Sequence, residues 1–462
     1  MHYLVKRICN TLDNSSDIVI REYKQYTYIY LESVSSDDKI SNYLNKGIFS
    51  EKNISKIYNS HIKKLTDINQ IYYFLSSGYT CLFIDNKYYY YAIETKANLD
   101  RGVNESTSEP IVRGPKDSFT ENHAINIGLI RKRIKDCNLR IKEQLIGKRT
   151  NTKTSIIYIE GIANINKVKK IYKIIKKINI DGILDSGYIR DYLEKKYKTN
   201  FPLIISTERP DLVCQNILNG KIAILTENSP VALILPATLD DFLKVSEDYY
   251  QKSSNATFSR ILRYIAFFIT IITPSLYVAL MTFNQEIIPD QLLISLAGQR
   301  SQVPFPTFIE VFIYIIIFEI LREADIRSPS VSGASMSIVG ALVLGEASVN
   351  AGIVSPIVII IVAITSICEL VFNDMDMSNA IRQWRLIFIV STILTGIIGI
   401  VSAGMILIIK LASLESLDTP YLLPFSPLNT NIINDSILLK PINKRDKRPN
   451  YLTNNIIRRN NK

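Results

Sequence analysis

Between Arg260 and Ser413 five apolar stretches follow one another, at about 265–283, 307–321, 331–349, 353–372 and 386–413. Some 260 residues of mixed, charged sequence precede them. That division predicts a polytopic membrane protein with a large soluble head. A hydrocarbon core of ~30 Å takes roughly 20 apolar residues as a helix, and the first, fourth and fifth stretches meet that length. The second has 15 residues, about 22 Å as a helix, and is short for a span. The expected architecture is an α/β head in two subdomains, residues 1–112 and 113–258. An all-α membrane domain of about four to six segments then covers 259–415, and a basic tail covers 416–462.

The net charge of +11 has a location, because residues 431–462 carry eight basic side chains against Asp435 and Asp446. Such a tail reads either as a solvated extension or as a contact for membrane lipids, at ~1 kcal/mol per basic residue near anionic headgroups. No zinc-finger, RNA-recognition or helix-turn-helix pattern accompanies the charge, which argues against nucleic acid. Five cysteines, at 9, 81, 137, 214 and 368, lack C-x-x-C spacing and predict reduced thiols in a cytoplasmic head. His2, His61 and His123 have no ligand spacing, so neither metal nor cofactor is expected. The start of the chain lacks the apolar core of a signal peptide.

Within the head, 80–84 and 88–93 are rich in aromatic and β-branched residues around Asp85-Asn86-Lys87 and predict a β-hairpin. Residues 98–116 read as a linker, with Gly102, Pro110, Gly114 and Pro115. Residues 121–147 read as one basic helix, with Ile125, Leu129, Ile130 and Ile134 at helical spacing. Strands at 155–160, 203–206 and 222–225 then alternate with helices at 168–178, 189–196 and 211–218, suggesting a layered α/β unit with a partly parallel sheet. No Gly-rich dinucleotide fingerprint, Walker A sequence or nucleophile–base constellation occurs, so the head is not expected to be an enzyme.

Arg260 and Arg263, just before the first stretch, place the head in the cytoplasm by the positive-inside rule. Arg322 with Arg327 and Arg382 with Arg385 mark further inside loops. Five crossings would leave the basic tail outside, and a re-entrant second or third stretch would resolve that conflict. Trp384 and Tyr421 fit interfacial anchors. Pro274 and Pro356 are candidate kinks. Gly333, Ser337, Ala341 and Gly345 fall four apart on one helical ridge, which suits close packing within a subunit, between subunits or along a pore. Glu310, Glu319, Glu346 and Glu369 lie in or beside apolar stretches. A carboxylate there should face water, a partner or a membrane boundary. Glu310 and Glu319 are nine residues apart and face opposite ways on one helix. Arg322, one turn after Glu319, offers it an ion pair.

Several blocks resemble the A subunits of nutrient germination receptors of bacterial spores, the GerA-type family, over residues 113–427. They are Gly114-Pro115-Lys116-Asp117-Ser118-Phe119-Thr120-Glu121, Asp185-Ser186-Gly187-Tyr188-Ile189, Thr207-Glu208-Arg209-Pro210-Asp211 and Asp248-Tyr249-Tyr250. In the membrane region they are Pro304-Phe305-Pro306, Phe318-Glu319-Ile320-Leu321-Arg322-Glu323-Ala324 and Ser337-Ile338-Val339-Gly340-Ala341-Leu342. The chain departs from the family at Glu227-Asn228-Ser229-Pro230, where an Asp-Gly pair is usual. The resemblance implies a spore inner-membrane receptor subunit beside a transporter-like B subunit and a lipoprotein C subunit. It further implies homo-oligomerisation into a cation channel, with a non-conducting scaffold as the alternative.

Overall fold

The computed structural model describes residues 15–43, 62–85, 87–98, 109–327, 345–428 and 435–453, with a few single positions near the two ends. The head is built on two five-stranded sheets. Strands β1 (Ile18–Tyr23), β2 (Tyr26–Leu31), β3 (Ile62–Leu65), β4 (Tyr79–Ile84) and β5 (Tyr90–Glu94) form the first, in the order β1-β2-β4-β5-β3. Side chains alternate across a strand, so Ile29, Leu31, Cys81, Phe83 and Ala92 face helix α1 (Ile68–Ser76), while Tyr28, Tyr30, Leu82 and Ile93 pack on the other side. The hairpin expected around 85–87 is β4–β5, with Phe83 opposite Tyr90.

The second sheet contains β6 (Leu139–Ile146), β7 (Thr152–Ile159), β8 (Ile205–Thr207), β9 (Ile222–Thr226) and β10 (Ala232–Leu235), ordered β6-β7-β9-β10-β8. Helices α2 (His123–Arg133) and α5 (Pro210–Leu218) cover one face, and α3 (Ile165–Lys176) and α4 (Ser186–Glu194) cover the other. Two expectations fail here. Every strand pairing is antiparallel, not partly parallel. For β9 and β10 the cause is local: a short turn at 227–231, with Asn228 at φ 64°, reverses the chain directly after β9, and so tight a connection joins only antiparallel strands. The predicted helix over 121–147 stops at Arg133, and its second half is strand β6. Gly147 at φ 88° and Asn151 at φ 46° turn β6 back onto β7, and cross-strand pairing outweighs the modest helical preference of that segment.

Beyond the head the chain is helical: α6 (Ser253–Thr282), α7 (Asp290–Arg300), α8 (Thr307–Arg327), α9 (Pro356–Glu369), α10 (Met375–Thr395) and α11 (Ile397–Ser413). Among the described residues α6 is the helix long and apolar enough to cross a membrane. The fourth and fifth stretches depart from the sequence reading. The fourth forms only 14 helical residues in α9, about 21 Å. Pro356 opens that helix at its first turn, where its missing N–H costs nothing, so it makes no kink. Pro274 does lie inside α6. The fifth stretch is divided between α10 and α11 at Gly396, whose φ of 64° and ψ of −136° no other residue adopts readily. The two helices fold back on each other, bringing the Gly404 backbone against Phe388 and Lys410 over the Trp384 ring. Most of the third stretch lies outside the described residues.

The hairpin at Gly396 returns the chain to the head. Ser416 Oγ donates to Leu203 O at 2.6 Å, and Leu239 N donates to Tyr421 O at 2.8 Å. Residues 435–453 also pack on the head, where Leu452 and Thr453 are buried and Arg448 Nε donates to Leu218 O at 2.9 Å. The described part of the tail therefore lies on the head's side. Trp384 and Tyr421 are buried at 3% and 0% exposure, against Phe201, so they anchor the protein interior and not a lipid interface. The reason is local: the chain that carries them folds onto the head's own apolar face.

Candidate functional site

A buried charge is costly unless paired and hydrogen-bonded, so charges inside the helical region mark its constrained places. Glu369 ends α9 with its side chain 2% exposed. Three arginines from two other helices converge on it: Arg322 of α8, and Arg382 Nε and Arg385 Nη1 of α10, each of the latter two at 3.3 Å. Glu319 of α8 completes the cluster, accepting from Arg382 Nη1 and Arg385 Nη2 at 2.6 Å each. Three guanidinium groups thus face two carboxylates, and the surplus is cationic. The cluster clamps α8, α9 and α10 together at one level. The expected Glu319–Arg322 pair on one helix is not the contact made. Arg322 reaches across to Glu369, leaving Glu319 to α10.

Glu310 occupies a separate place. It is fully buried, accepting from Arg300 Nε at 3.2 Å, Ser355 N at 3.1 Å and Ser355 Oγ at 2.8 Å. Its carboxylate therefore sits at the N-terminus of α9, where the helix dipole favours negative charge. Glu346 is exposed. Gly345 is buried, and a Cβ there would lie 3.4 Å from Tyr314 Oη, so this position packs on α8. Gly333, Ser337 and Ala341, the rest of the small-residue ridge, lie outside the described residues. The structure brings Glu319 and Glu369 into one cluster and keeps Glu310 and Glu346 apart from it. Sequence reasoning missed the convergence of Arg382 and Arg385 on that cluster. Their spacing of three residues at the start of an apolar run was the available signal.

The neck carries a second cluster. Asp248 accepts from Arg260 Nε at 3.0 Å and from Arg263 Nη1 and Nη2 at 2.7 and 2.8 Å. Arg260 also donates to Asp435 O and Ser436 O at 2.8 and 2.7 Å, tying neck to tail. Both arginines are thus spent on the head side of α6. Beside them lies a cavity of about 220 Å³ between head, neck and tail, lined by Arg209, Lys221, Asp241, Lys244, Asp374 and Arg448 among others. Lys221 is buried and 2.7 Å from Asp241. Burial pushes its ammonium pKa down, and Asp241 opposes the shift. On the same wall burial raises Glu109 to about 7, although Thr207 Oγ1 donates to it at 2.9 Å. Lys447 is exposed, whereas Arg445 stacks 5.2 Å from the Tyr249 ring.

Comparison with known proteins places the chain. The family model for the Bacillus/Clostridium GerA spore germination protein matches residues 6–451. Spore germination protein KA of Bacillus subtilis is 36% identical, over 96% of this chain and 86% of that protein. Spore germination protein GerQA of Bacillus cereus is 33% identical over 95% of this chain and 92% of its own length. The uncharacterized membrane protein YfkQ of Bacillus subtilis is 36% identical over 83% and 75%. Among solved structures, the N-terminal domain of the A subunit of the Bacillus megaterium spore germinant receptor GerK3 aligns with a TM-score of 0.39 at 30% identity, covering 51% of this chain and 94% of that one. With the match running through head, neck and helical region alike, the chain belongs to the GerA family of spore germination proteins.

Proposed function

We propose that this chain is the integral membrane A subunit of a spore nutrient germination receptor. In this reading it resides in the spore inner membrane, its head facing the cytoplasmic core, beside a transporter-like B subunit and a lipoprotein C subunit. Copies of it assemble into a cation channel that nutrient opens to begin germination. The observation that carries the receptor role is the family match over residues 6–451, which takes in the head and the helices together. The apolar helix α6, continuous with the neck, supports membrane insertion. We read the chain as a receptor subunit and assign it no catalytic step.

The ridge of Gly333, Ser337, Ala341 and Gly345 is the proposed subunit contact or pore wall, and Glu310, Glu319 and Glu346 are the proposed membrane carboxylates. One observation favours a different reading, a non-conducting scaffold. Glu310, Glu319 and Glu369 are all consumed by arginines of the same chain, which leaves them less available to a permeating ion. Purified full-length protein in liposomes separates the two readings. Cation flux through an assembled oligomer supports the channel, and silence from a folded oligomer supports the scaffold. Bulky replacements at Ser337 and Ala341 that leave flux and assembly unchanged would remove the ridge from the pore or the subunit interface.

A further inference from the structure

Helix α3 has two faces of opposite chemistry. Val168, Ile171 and Ile175 are buried against the second sheet, at the three- and four-residue spacing of one helical side. The other side is lysine. Residues 165–180 contain six lysines, at 167, 169, 170, 173, 176 and 177, and no aspartate or glutamate. Lys169, Lys173, Lys176 and Lys177 are exposed, and among the described residues none of these four has a carboxylate partner. Lys169, Lys173 and Lys177 repeat every four residues, a spacing at which like charges repel along a helix. This face therefore carries a cost that an anionic partner would relieve.

The position of the face says which partner. Lys170 Nζ lies 2.6 Å from Asp418 Oδ1, and Lys167 Nζ donates to Thr419 Oγ1 at 2.5 Å. Just past α4, Tyr197 Oη donates to Glu415 Oε2 at 3.0 Å, and Arg190 of α4 pairs with Asp376 in the first turn of α10. Glu415 is two residues beyond Ser413, where α11 ends. That helix leaves Ile398, Met405, Ile408 and Ile409 at 59–74% exposure, an apolar surface that belongs to lipid in the membrane reading. Lys410 in its last turn then marks the level at which the bilayer ends. The basic surface extends along the same side of the head. Lys196 shares a groove with Lys170, Glu415 and Asp418, while Lys148, Tyr172 and Lys176 line the next one. The exposed carboxylates Asp181 and Asp191 follow α3 and lie on α4, outside the lysine run.

An anionic leaflet attracts basic side chains that come within about a Debye length, ~8–10 Å, of its surface. Lysine stems and an exposed tyrosine such as Tyr172 suit that boundary, each with an apolar body and a polar tip. A nucleic acid would be bound through a recognition element, and no pattern for one occurs in the chain. We propose that α3 and the end of α4 form a docking face for the anionic surface of the same membrane that holds α6, laying this side of the head against the lipid headgroups. The proposal rests on the membrane reading above and adds the orientation of the head. It does not depend on ion conduction.

Full-length protein is reconstituted into nanodiscs of phosphatidylcholine, with or without phosphatidylglycerol, and its lysines are acylated and read by mass spectrometry. Lys169, Lys173, Lys176 and Lys177 should acylate roughly fivefold more slowly in the anionic discs, the factor that the attraction of one basic residue to such a surface represents. High salt should remove the difference. Lys63, on the first sheet, should label equally in both. K169E/K173E/K176E/K177E should lose the difference at Lys148 and Lys196, with its melting midpoint in detergent unchanged because the replaced side chains are exposed. Equal labelling of the wild type in both discs overturns the docking face, as does protection at Lys148 and Lys196 that survives the charge reversal. Equal protection by duplex DNA, added to the wild type in detergent at the same salt, would assign the face to nucleic acid instead. A chain that does not stay with lipid once detergent is removed sinks the membrane reading itself, whereas stable incorporation with equal labelling sinks only the docking.

Discussion

The indole of Trp384 lies over the ring of Phe201, centroids 6.4 Å apart and planes inclined by 30°. One residue belongs to helix α10 and the other to the head, so a single apolar cluster runs through both. The head is therefore not a body tethered by a linker. Side chains of the helices and of the second sheet pack together in that one cluster.

Trp384→Ala should remove about 3–5 kcal/mol, the usual cost of deleting a buried aromatic. Thermal unfolding of the full chain in detergent checks it, and Trp384→Phe should recover much of the loss. An unchanged midpoint in the alanine variant would mean that head and helices unfold independently.

Asp17 and Arg131 form a pair with side chains only 4% and 1% exposed. Removing either partner strands the other charge, so D17A and R131A should each cost about 3–5 kcal/mol. The double variant should lose clearly less than the sum, as expected for residues in direct contact. A denaturant-unfolding cycle reads the coupling. Strict additivity would show that the pair does not hold the first sheet to α2.

Glu369→Gln strips a buried carboxylate from three arginines, whereas Glu323→Gln breaks only an exposed pair with Arg327, at 60% and 78% exposure. The first should destabilise by about 3–5 kcal/mol and the second by less than about 1 kcal/mol. Retained monodispersity and melting midpoint in detergent distinguish them. Equal effects would remove Glu369 from the centre of the helical region.

Glu109 gives stability a pH signature. Its folded pKa is raised from 4.5 to about 7, so the folded state holds a proton that the unfolded state has already released. The contribution of this residue is fully present below the unfolded value and declines as pH rises through that window. Glu109→Gln should flatten the decline between those two pH values while leaving the acid limb unaltered. Melting midpoints measured across pH would test this, and an unchanged slope in the variant would refute it.

The periodicities that could be read directly were those enforced by one local surface. The β4–β5 hairpin was legible because aromatic and β-branched residues flank a short polar turn. Helices α3, α4 and α5 were visible from their apolar spacing. Strand β6 was not, because Leu139 to Ile146 has enough helical character that only its pairing with β7 decides the matter. Trp384 misled for a similar reason. A lone aromatic beside an apolar run looks the same whether its neighbour is lipid or Phe201.

Composition alone thus marked out a charged head and a helical apolar half, and a string of matching blocks carried the resemblance to the GerA-type family, because burial preference and block order are properties of the chain itself. Tertiary structure decided the all-antiparallel second sheet, the reversal at Gly396 and the return of the tail to the head. It also decided which arginine neutralises which glutamate. Those outcomes depend on which surfaces meet across hundreds of residues, and a pairing of charges at 3 Å is set by that meeting and not by spacing along the sequence.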